Sequence, residues 1–284
     1  MKKTIRYVLS PKQEGLTVGT LLRQQEFSTG MIRRLKQTNG IFLDDRPVTV
    51  RCIAHAGQTL SVTLPPKPAA ARPVALPLAV VYEDDCLLVV NKPSGMPVHP
   101  SAGHHEDTLA NAVAYYAGER FGFHPVTRLD RYTSGLTLCA KDAHTAALLC
   151  RRMQEGKIRK IYHAVVEGTP EPPAGTVDLP IARLPGSVLA RRVDPAGKPA
   201  VTRYTVLSSD GAKSLVQAEP VTGRTHQIRV HMAAIGHPLC DDFLYGTQKG
   251  DHTFRLCCVR LAFEHPVTGQ PFSAEISVEF PDFH

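Results

Sequence analysis

The sequence predicts an α+β protein, in which a mixed, largely antiparallel sheet flanked by helices follows a small, basic N-terminal α/β domain. Three observations predict it. After residue 78, strand-like and helical stretches occur without the strict strand–helix–strand order that builds a parallel sheet. The run PKPAAARPVALP at 66–77 has neither a helical nor a strand period and reads as a semi-extended linker. Positive charge is concentrated ahead of it: residues 1–65 hold 10 Lys/Arg against 4 Asp/Glu, which is +6 of the net +7. A chain of 284 residues suits one large and one small domain, here 78–284 and 1–65.

The small domain starts with two short helices. Leu16, Val18, Leu21 and Leu22 fit one apolar face, and Met31, Ile32 and Leu35 fit another, with Ser28 as N-cap of the second. Arg33, Arg34 and Lys36 fall between those apolar residues and must project outward. After Gly40 come two short strand-like pieces, IFLDDRPVTV and QTLSVTLP, joined through Ala56-Gly57. A compact module with an outward basic helix suits a polyanion, and nucleic acid is the first candidate.

In the large domain AVVYEDDCLLVVNKP reads as two strands around an acidic turn. EDTLANAVAYYAGERFG places Leu109, Ala112, Val113 and Tyr116 at helical spacing. HTAALLCRRMQEG is a second amphipathic helix, stopped at Gly156. KIRKIYHAVVEG and KSLVQAEPVTG alternate with period two and are strands. The block at 222–232, TGRTHQIRVHM, is read as a strand too, which sets His226 and His231 on opposite faces and argues against a metal shared between them.

Several classes are excluded. No apolar stretch approaches the roughly 20 residues that cross a bilayer, and the start MKKTIRYVLSPKQEG has no apolar run behind its lysines. A cytoplasmic protein without membrane partners is expected, working as a monomer. The seven cysteines include no Cys-x-x-Cys pair and sit mostly in apolar runs, so reduced thiols are expected and no metal site. No glycine-rich phosphate loop and no Gly-x-Ser-x-Gly element occurs, which removes nucleotide-dependent enzymes and serine hydrolases of that type. No cofactor is expected.

The stretch RLDRYTSGLTLCAK (128–141) carries the chemistry. A charged, hydroxylated loop runs into an apolar strand, with Gly135 freeing the backbone at the turn. A lone Asp in such a loop is usually a cap or turn residue. Asp130 is bracketed by Arg128 and Arg131, with Thr133 and Ser134 close behind, a setting that keeps a carboxylate ionised and able to act as a nucleophile.

This stretch resembles the catalytic motif of RluA-type pseudouridine synthases, in which the aspartate of Arg-Leu-Asp is the nucleophile. Four further blocks resemble that family in the expected order: NKPSGMPVHP (91–100), KIYHAVVEG (160–168), TGRTHQIRVHMAAIGHPLCDDFLYG (222–246) and LAFEHPVTGQ (261–270). The resemblance implies a pseudouridine-synthase-like catalytic domain isomerising uridine in ribosomal or transfer RNA. It assigns Asp130 as nucleophile by a covalent or a glycal route. Tyr162 is the ring under the uracil and a candidate base for a late proton transfer. Arg229 is the ion-pair partner of Asp130, a role Arg224 could also fill, and Arg128 is the residue that grips or replaces a flipped nucleotide. The N-terminal segment loosely resembles an S4-type RNA-binding domain, with Asp44-Asp45 near the turn in place of the usual signatures. Thr127, Asp241, Cys257 and Cys258 depart from the family's usual His, Gly and His-Ala. The competing reading is a catalytically inactive RNA-binding or ribosome-assembly protein; the joint presence of Asp130, Tyr162 and Arg229 weighs against it.

Overall fold

The structure, a computed structural model, describes residues 3–64, 71–118, 120–247 and 254–280. Its first part is a four-stranded sheet with two helices. Strand β1 (Thr4–Val8) pairs antiparallel with β4 (Thr59–Thr63), which pairs with β2 (Ile41–Leu43), and β2 pairs with β3 (Arg46–Pro47). Helices α1 (Val18–Gln24) and α2 (Thr29–Gln37) bury Val18, Leu21, Leu22, Met31 and Leu35 against it. Ser28 caps α2 by accepting from the Met31 amide at 3.2 Å. Asp44 and Asp45 form the β2–β3 turn, both at positive φ (46° and 61°), a conformation Asp tolerates better than most residues. Strand β1 was not anticipated from the sequence.

The larger sheet has ten strands among the described residues. It contains β5 (Ala79–Glu83), β6 (Leu87–Lys92), β7 (His124–Pro125), β8 (Ser134–Ala140), β9 (Arg159–Glu167) and β10 (Ala174–Asp178). A small ribbon of β11 (Ile181–Arg183) and β12 (Arg191–Val193) stands apart, and β13 (Val201–Ser209), β14 (Lys213–Pro220), β15 (Leu256–Glu264) and β16 (Pro271–Glu275) complete the sheet. The order is β10-β13-β14-β9-β15-β8-β6-β5, with β16 on β15 and β7 on β8. Pairings are antiparallel except β8–β15, so the mixed sheet expected from the sequence is present. Helices α3 (Leu109–Ala117), α4 (Ala143–Gln154) and α5 (Gln227–Ala234) flank it.

The parallel contact fixes the centre of the molecule. Register partners run Lys92–Gly135–Cys258–Tyr162–Ala218 across five strands. Gly135 has φ +104°, and a Cβ there would stand 2.3 Å from the Cys258 carbonyl oxygen. Only glycine lets β8 approach β15 this closely.

The proline–alanine segment is anchored where it is described. Residues 66–70 lie outside the described residues, but the part from 71 onward rests on α3. The Arg72 carbonyl accepts from Asn111 Nδ2 at 2.8 Å, and the Val74 amide donates to the Asn111 carbonyl at 3.3 Å. The N-terminal part also meets α4 and the β5–β6 turn directly. Lys3 Nζ donates to Asp142 Oδ2 at 2.8 Å and to the Asp85 carbonyl at 2.9 Å, Phe27 stacks on His144 at 3.9 Å, and Glu26 pairs with Arg151 at 2.6 Å. Five of the seven free cysteines are buried, as their apolar surroundings imply.

Candidate active site

The loop that leaves β7 and enters β8 carries Arg128 and Asp130, and its shape is set from below by the NKPSG block. Lys92 is fully buried at the end of β6 and donates to the carbonyls of Pro93 (2.8 Å), Met96 (2.8 Å) and Arg131 (3.1 Å). Burial pushes its pKa down to about 7 against the pull of Asp130. Three carbonyl acceptors nevertheless require three N–H donors, which only the ammonium form supplies. Ser94 Oγ donates to the Tyr132 carbonyl at 2.8 Å and Arg131 Nε to the Gly95 carbonyl at 2.9 Å. Arg131 is therefore part of the loop's support. Thr133 and Ser134 do not donate to the Asp130 carboxylate through their side chains: Ser134 Oγ faces the Leu256 carbonyl, and among the described residues buried Thr133 Oγ1 has no hydrogen-bond partner.

Asp130 opens into a cleft of about 620 Å³, whose walls include Arg128, Tyr162, Arg224, His226 and Arg229. Its side chain is 29% exposed; Arg229 Nη1 stands 3.7 Å and His226 Nε2 3.8 Å from the same oxygen, Oδ2. The tighter partner of Arg229 is another acid. Arg229 Nε and Nη2 each donate to Asp242 at 2.7 Å, with the arginine side chain 2% and the aspartate 0% exposed. Asp242 Oδ1 also accepts from the amides of Leu244 (3.0 Å) and Tyr245 (3.3 Å). The guanidinium lies 4.3 Å from the Phe254 ring centroid and 5.0 Å from that of Tyr245. Fork and rings fix the plane of Arg229, so that Nη1 faces Asp130.

Tyr162 is placed by the central register row, beside Cys258 and facing the cleft. Burial, then the neighbouring Cys258 and Asp130, hold its phenol well above the ordinary range. The hydroxyl keeps its proton in the resting protein, which favours a stacking platform over a resting base. Arg128 is exposed at the wall of the cleft. Arg224 is engaged elsewhere, donating from Nε to the Pro199 carbonyl at 2.9 Å.

The block at 222–232 is not a strand. His226 sits at φ 59°, ψ 20° and starts α5, which carries Arg229 inward. His231, on that helix, bonds Thr202 Oγ1 and the Leu179 carbonyl, both at 2.9 Å, so the two histidines are hydrogen-bonding residues on separate sides of α5. Gln227 ties the helix start to β13, its Nε2 donating to the Val201 carbonyl (2.9 Å) and Thr202 Oγ1 (3.0 Å), and to the preceding loop, its Oε1 accepting from Thr222 Oγ1 (2.7 Å) and the Arg224 amide (2.9 Å). Asp241, standing where the family commonly has glycine, has φ +63° and pairs with Arg255 at 3.3 Å.

The structure thus gathers Arg128, Asp130, Tyr162 and Arg229 in one cleft. Arg33, Arg34 and Lys36 do not line it; they are exposed on α2. Sequence reasoning missed Asp242, Tyr245, His226 and Lys92 as parts of the site. The one signal for Asp242 was an acid-then-aromatic run, DDFLY, inside a block already singled out.

Among the described residues one trio, Asp84, Cys86 and His265, has potential metal-ligand atoms within 4.8 Å of one another. His265 Nδ1 accepts from the amides of Val267 (3.4 Å) and Thr268 (3.1 Å), so its proton is on Nε2, which donates to Asp84 Oδ2 at 2.8 Å. A metal on Nε2 would drive that proton to Nδ1, where two N–H groups already point. The trio is a staple between the β5–β6 and β15–β16 turns.

Comparison with known proteins agrees with this geometry. Residues 86–234 match the family described as RNA pseudouridylate synthase. The uncharacterized RNA pseudouridine synthase YjbO of Bacillus subtilis (strain 168) is 39% identical over 227 residues, covering 78% of this chain and 80% of the relative. Ribosomal large subunit pseudouridine synthase D of Zymomonas mobilis is 40% identical over 241 residues, 77% of this chain and 75% of the relative. Among solved structures, human RNA pseudouridylate synthase domain containing 1 superposes with a TM-score of 0.61 at 25% identity, covering 76% of this chain and 86% of that one. The chain belongs to the RNA pseudouridylate synthase family. It is an RNA-modifying isomerase, and the inactive-platform reading has no support among these relatives.

Proposed function

We propose that this enzyme isomerises specific uridines of structured ribosomal RNA, of the large subunit in the first place, with Asp130 as the nucleophile. The observation that carries the catalytic part is the single cleft in which Asp130, Arg229 and Tyr162 converge. The names of relatives such as the synthase D of Neisseria meningitidis, 34% identical over 280 residues, support the choice of RNA.

The reaction breaks the N1–C1′ bond, turns the uracil and joins C5 to C1′; C5 loses a proton and N1 gains one. No electrons enter or leave. Asp130 serves either by attacking C1′ or by taking a proton from C2′, and both routes need an ionised, fixed carboxylate. Arg229 supplies the fixed positive charge, and Tyr162 supplies a flat platform for the base. The target must leave its stack, at a cost of a few kcal/mol, and exposed Arg128 at the cleft wall fills the gap it leaves.

Residues 1–65 act as an S4-like RNA-binding domain ahead of the 66–77 connection and the 78–284 catalytic domain. Arg33, Arg34 and Lys36 are exposed on α2, and among the described residues none of the three forms an ion pair. A cytoplasmic monomer is the setting we propose, since a reducing compartment suits seven free thiols. No described helix is long and apolar enough to cross a membrane.

Replacing Arg33, Arg34 and Lys36 together by Ala tests the RNA-binding role. Binding should weaken, and its log–log salt slope should flatten by about one unit for each phosphate that the helix no longer touches. Turnover at saturating RNA should hold. An unchanged slope would show that α2 does not meet phosphate.

A further inference from the structure

We propose that His226 is a positioning residue for the nucleophile: fixed by Tyr245 as its Nε2–H tautomer, it shares Oδ2 of Asp130 with Arg229 and leaves Oδ1 as the attacking oxygen. The proposal rests on the reading of Asp130 as the nucleophile.

Hydrogen-bond polarity sets the tautomer. The Arg191 amide can only donate, and it lies 2.8 Å from Tyr245 Oη, so that oxygen accepts. The phenol's own proton has His226 Nδ1 in reach at 2.8 Å. Nδ1 is thereby an acceptor, and the ring's one proton sits on Nε2, the nitrogen that faces Asp130 Oδ2 at 3.8 Å. Burial holds the ring's pKa below its ordinary value although Asp130 pulls it up, with Arg229 and Arg191 opposing that pull, so the ring is neutral.

The two donors converge on one atom. Arg229 Nη1 and His226 Nε2 both approach Oδ2, and among the described residues no hydrogen bond is made to Oδ1. At 3.7 and 3.8 Å both exceed hydrogen-bond length; catalytic contacts of this kind commonly tighten in the substrate complex. Carboxylate rotation is then blocked, with the free oxygen directed at the substrate.

A competing explanation is purely conformational. His226 occupies a left-handed backbone position, φ 59°, where Asn and Asp are favoured along with His. The two explanations order a pair of variants oppositely. Asn suits that backbone best, but its amide is too short to stand in for Nε2. Gln suits it less well, yet its amide nitrogen reaches where Nε2 stands.

The experiment measures kcat, KM and RNA affinity for His226→Gln, His226→Asn and Tyr245→Phe, with Asp130→Asn alongside. We expect His226→Gln to keep kcat within about 10-fold of the wild type and His226→Asn to lose about 100-fold or more, at the low end of what a positioned proton donor contributes. Tyr245→Phe, which does not touch the cleft, should lower kcat by about 10-fold with KM unchanged, because the tautomer is no longer fixed. An Asn variant as active as the Gln variant, or a Tyr245→Phe enzyme with wild-type kcat, overturns the proposal. Turnover by Asp130→Asn would instead overturn the nucleophile reading on which it rests.

Discussion

Asp130→Asn should lower pseudouridine formation by roughly four orders of magnitude or more, the scale on which loss of an essential catalytic side chain is felt. The amide is nearly isosteric, but it neither attacks C1′ nor takes a proton from C2′. Folding should hardly change. Arg229 keeps its two-pronged bond to Asp242, and the partly exposed contact at 3.7 Å to Asp130 is worth at most about 1 kcal/mol. RNA affinity should also persist, because the basic helix α2 and Arg128 are untouched. Chromatographic nucleoside analysis of RNA treated with the purified variant reads the first effect, and a denaturant titration reads the second.

Asp242→Asn should do the reverse and damage the fold as much as the chemistry. Both partners of the Arg229–Asp242 pair are essentially removed from water, at 2% and 0% exposure. An Asn accepts only one of the two arginine bonds and turns an N–H toward the other. Breaking a buried pair from one side costs about 3–5 kcal/mol. The freed guanidinium would also swing toward Asp130 and tie up the attacking carboxylate, so kcat should fall even where the variant is folded. Asp241→Asn is the internal control. Its contact with Arg255 is longer, at 3.3 Å, and partly open to solvent, with the side chains 16% and 31% exposed, so it should cost about 1 kcal/mol or less. Equal stability for the two variants would refute the buried fork as the element that holds Arg229.

How much of this was legible follows from which signals are local. The β5–β6 pair, α3, α4, β9 and β14 each carry their own period and were readable within a dozen residues. The α2 helix was readable with its Ser28 cap, and Asp130 stood out by the loop around it. The start of α5 was misread because Gln227, Ile228, Arg229, Val230, His231 and Met232 are all buried. A helix buried on every side has no polar face, so its sequence loses the 3.6-residue period. Its alternation of apolar and polar side chains then imitates a strand. Strand β1 escaped because its partner, β4, lies more than fifty positions away, with Thr4 opposite Thr63. The same distance effect hid the Arg229–Asp242 fork and the Tyr245–His226 bond, which exist only after α5 and the following loop pack together. The family resemblance supplied Arg229 and Tyr162, but it offered no reason for the orientation of either side chain.

We propose that Asp130 in this cleft makes pseudouridine in ribosomal RNA. It is tested most directly by mapping pseudouridines in total RNA from cells lacking the gene, complemented with wild-type enzyme or with Asp130→Asn at equal protein levels. At least one site in large-subunit ribosomal RNA should disappear on deletion, return with the wild type and stay absent with Asp130→Asn. A large-subunit map unchanged by the deletion, or a site restored by Asp130→Asn, would contradict it.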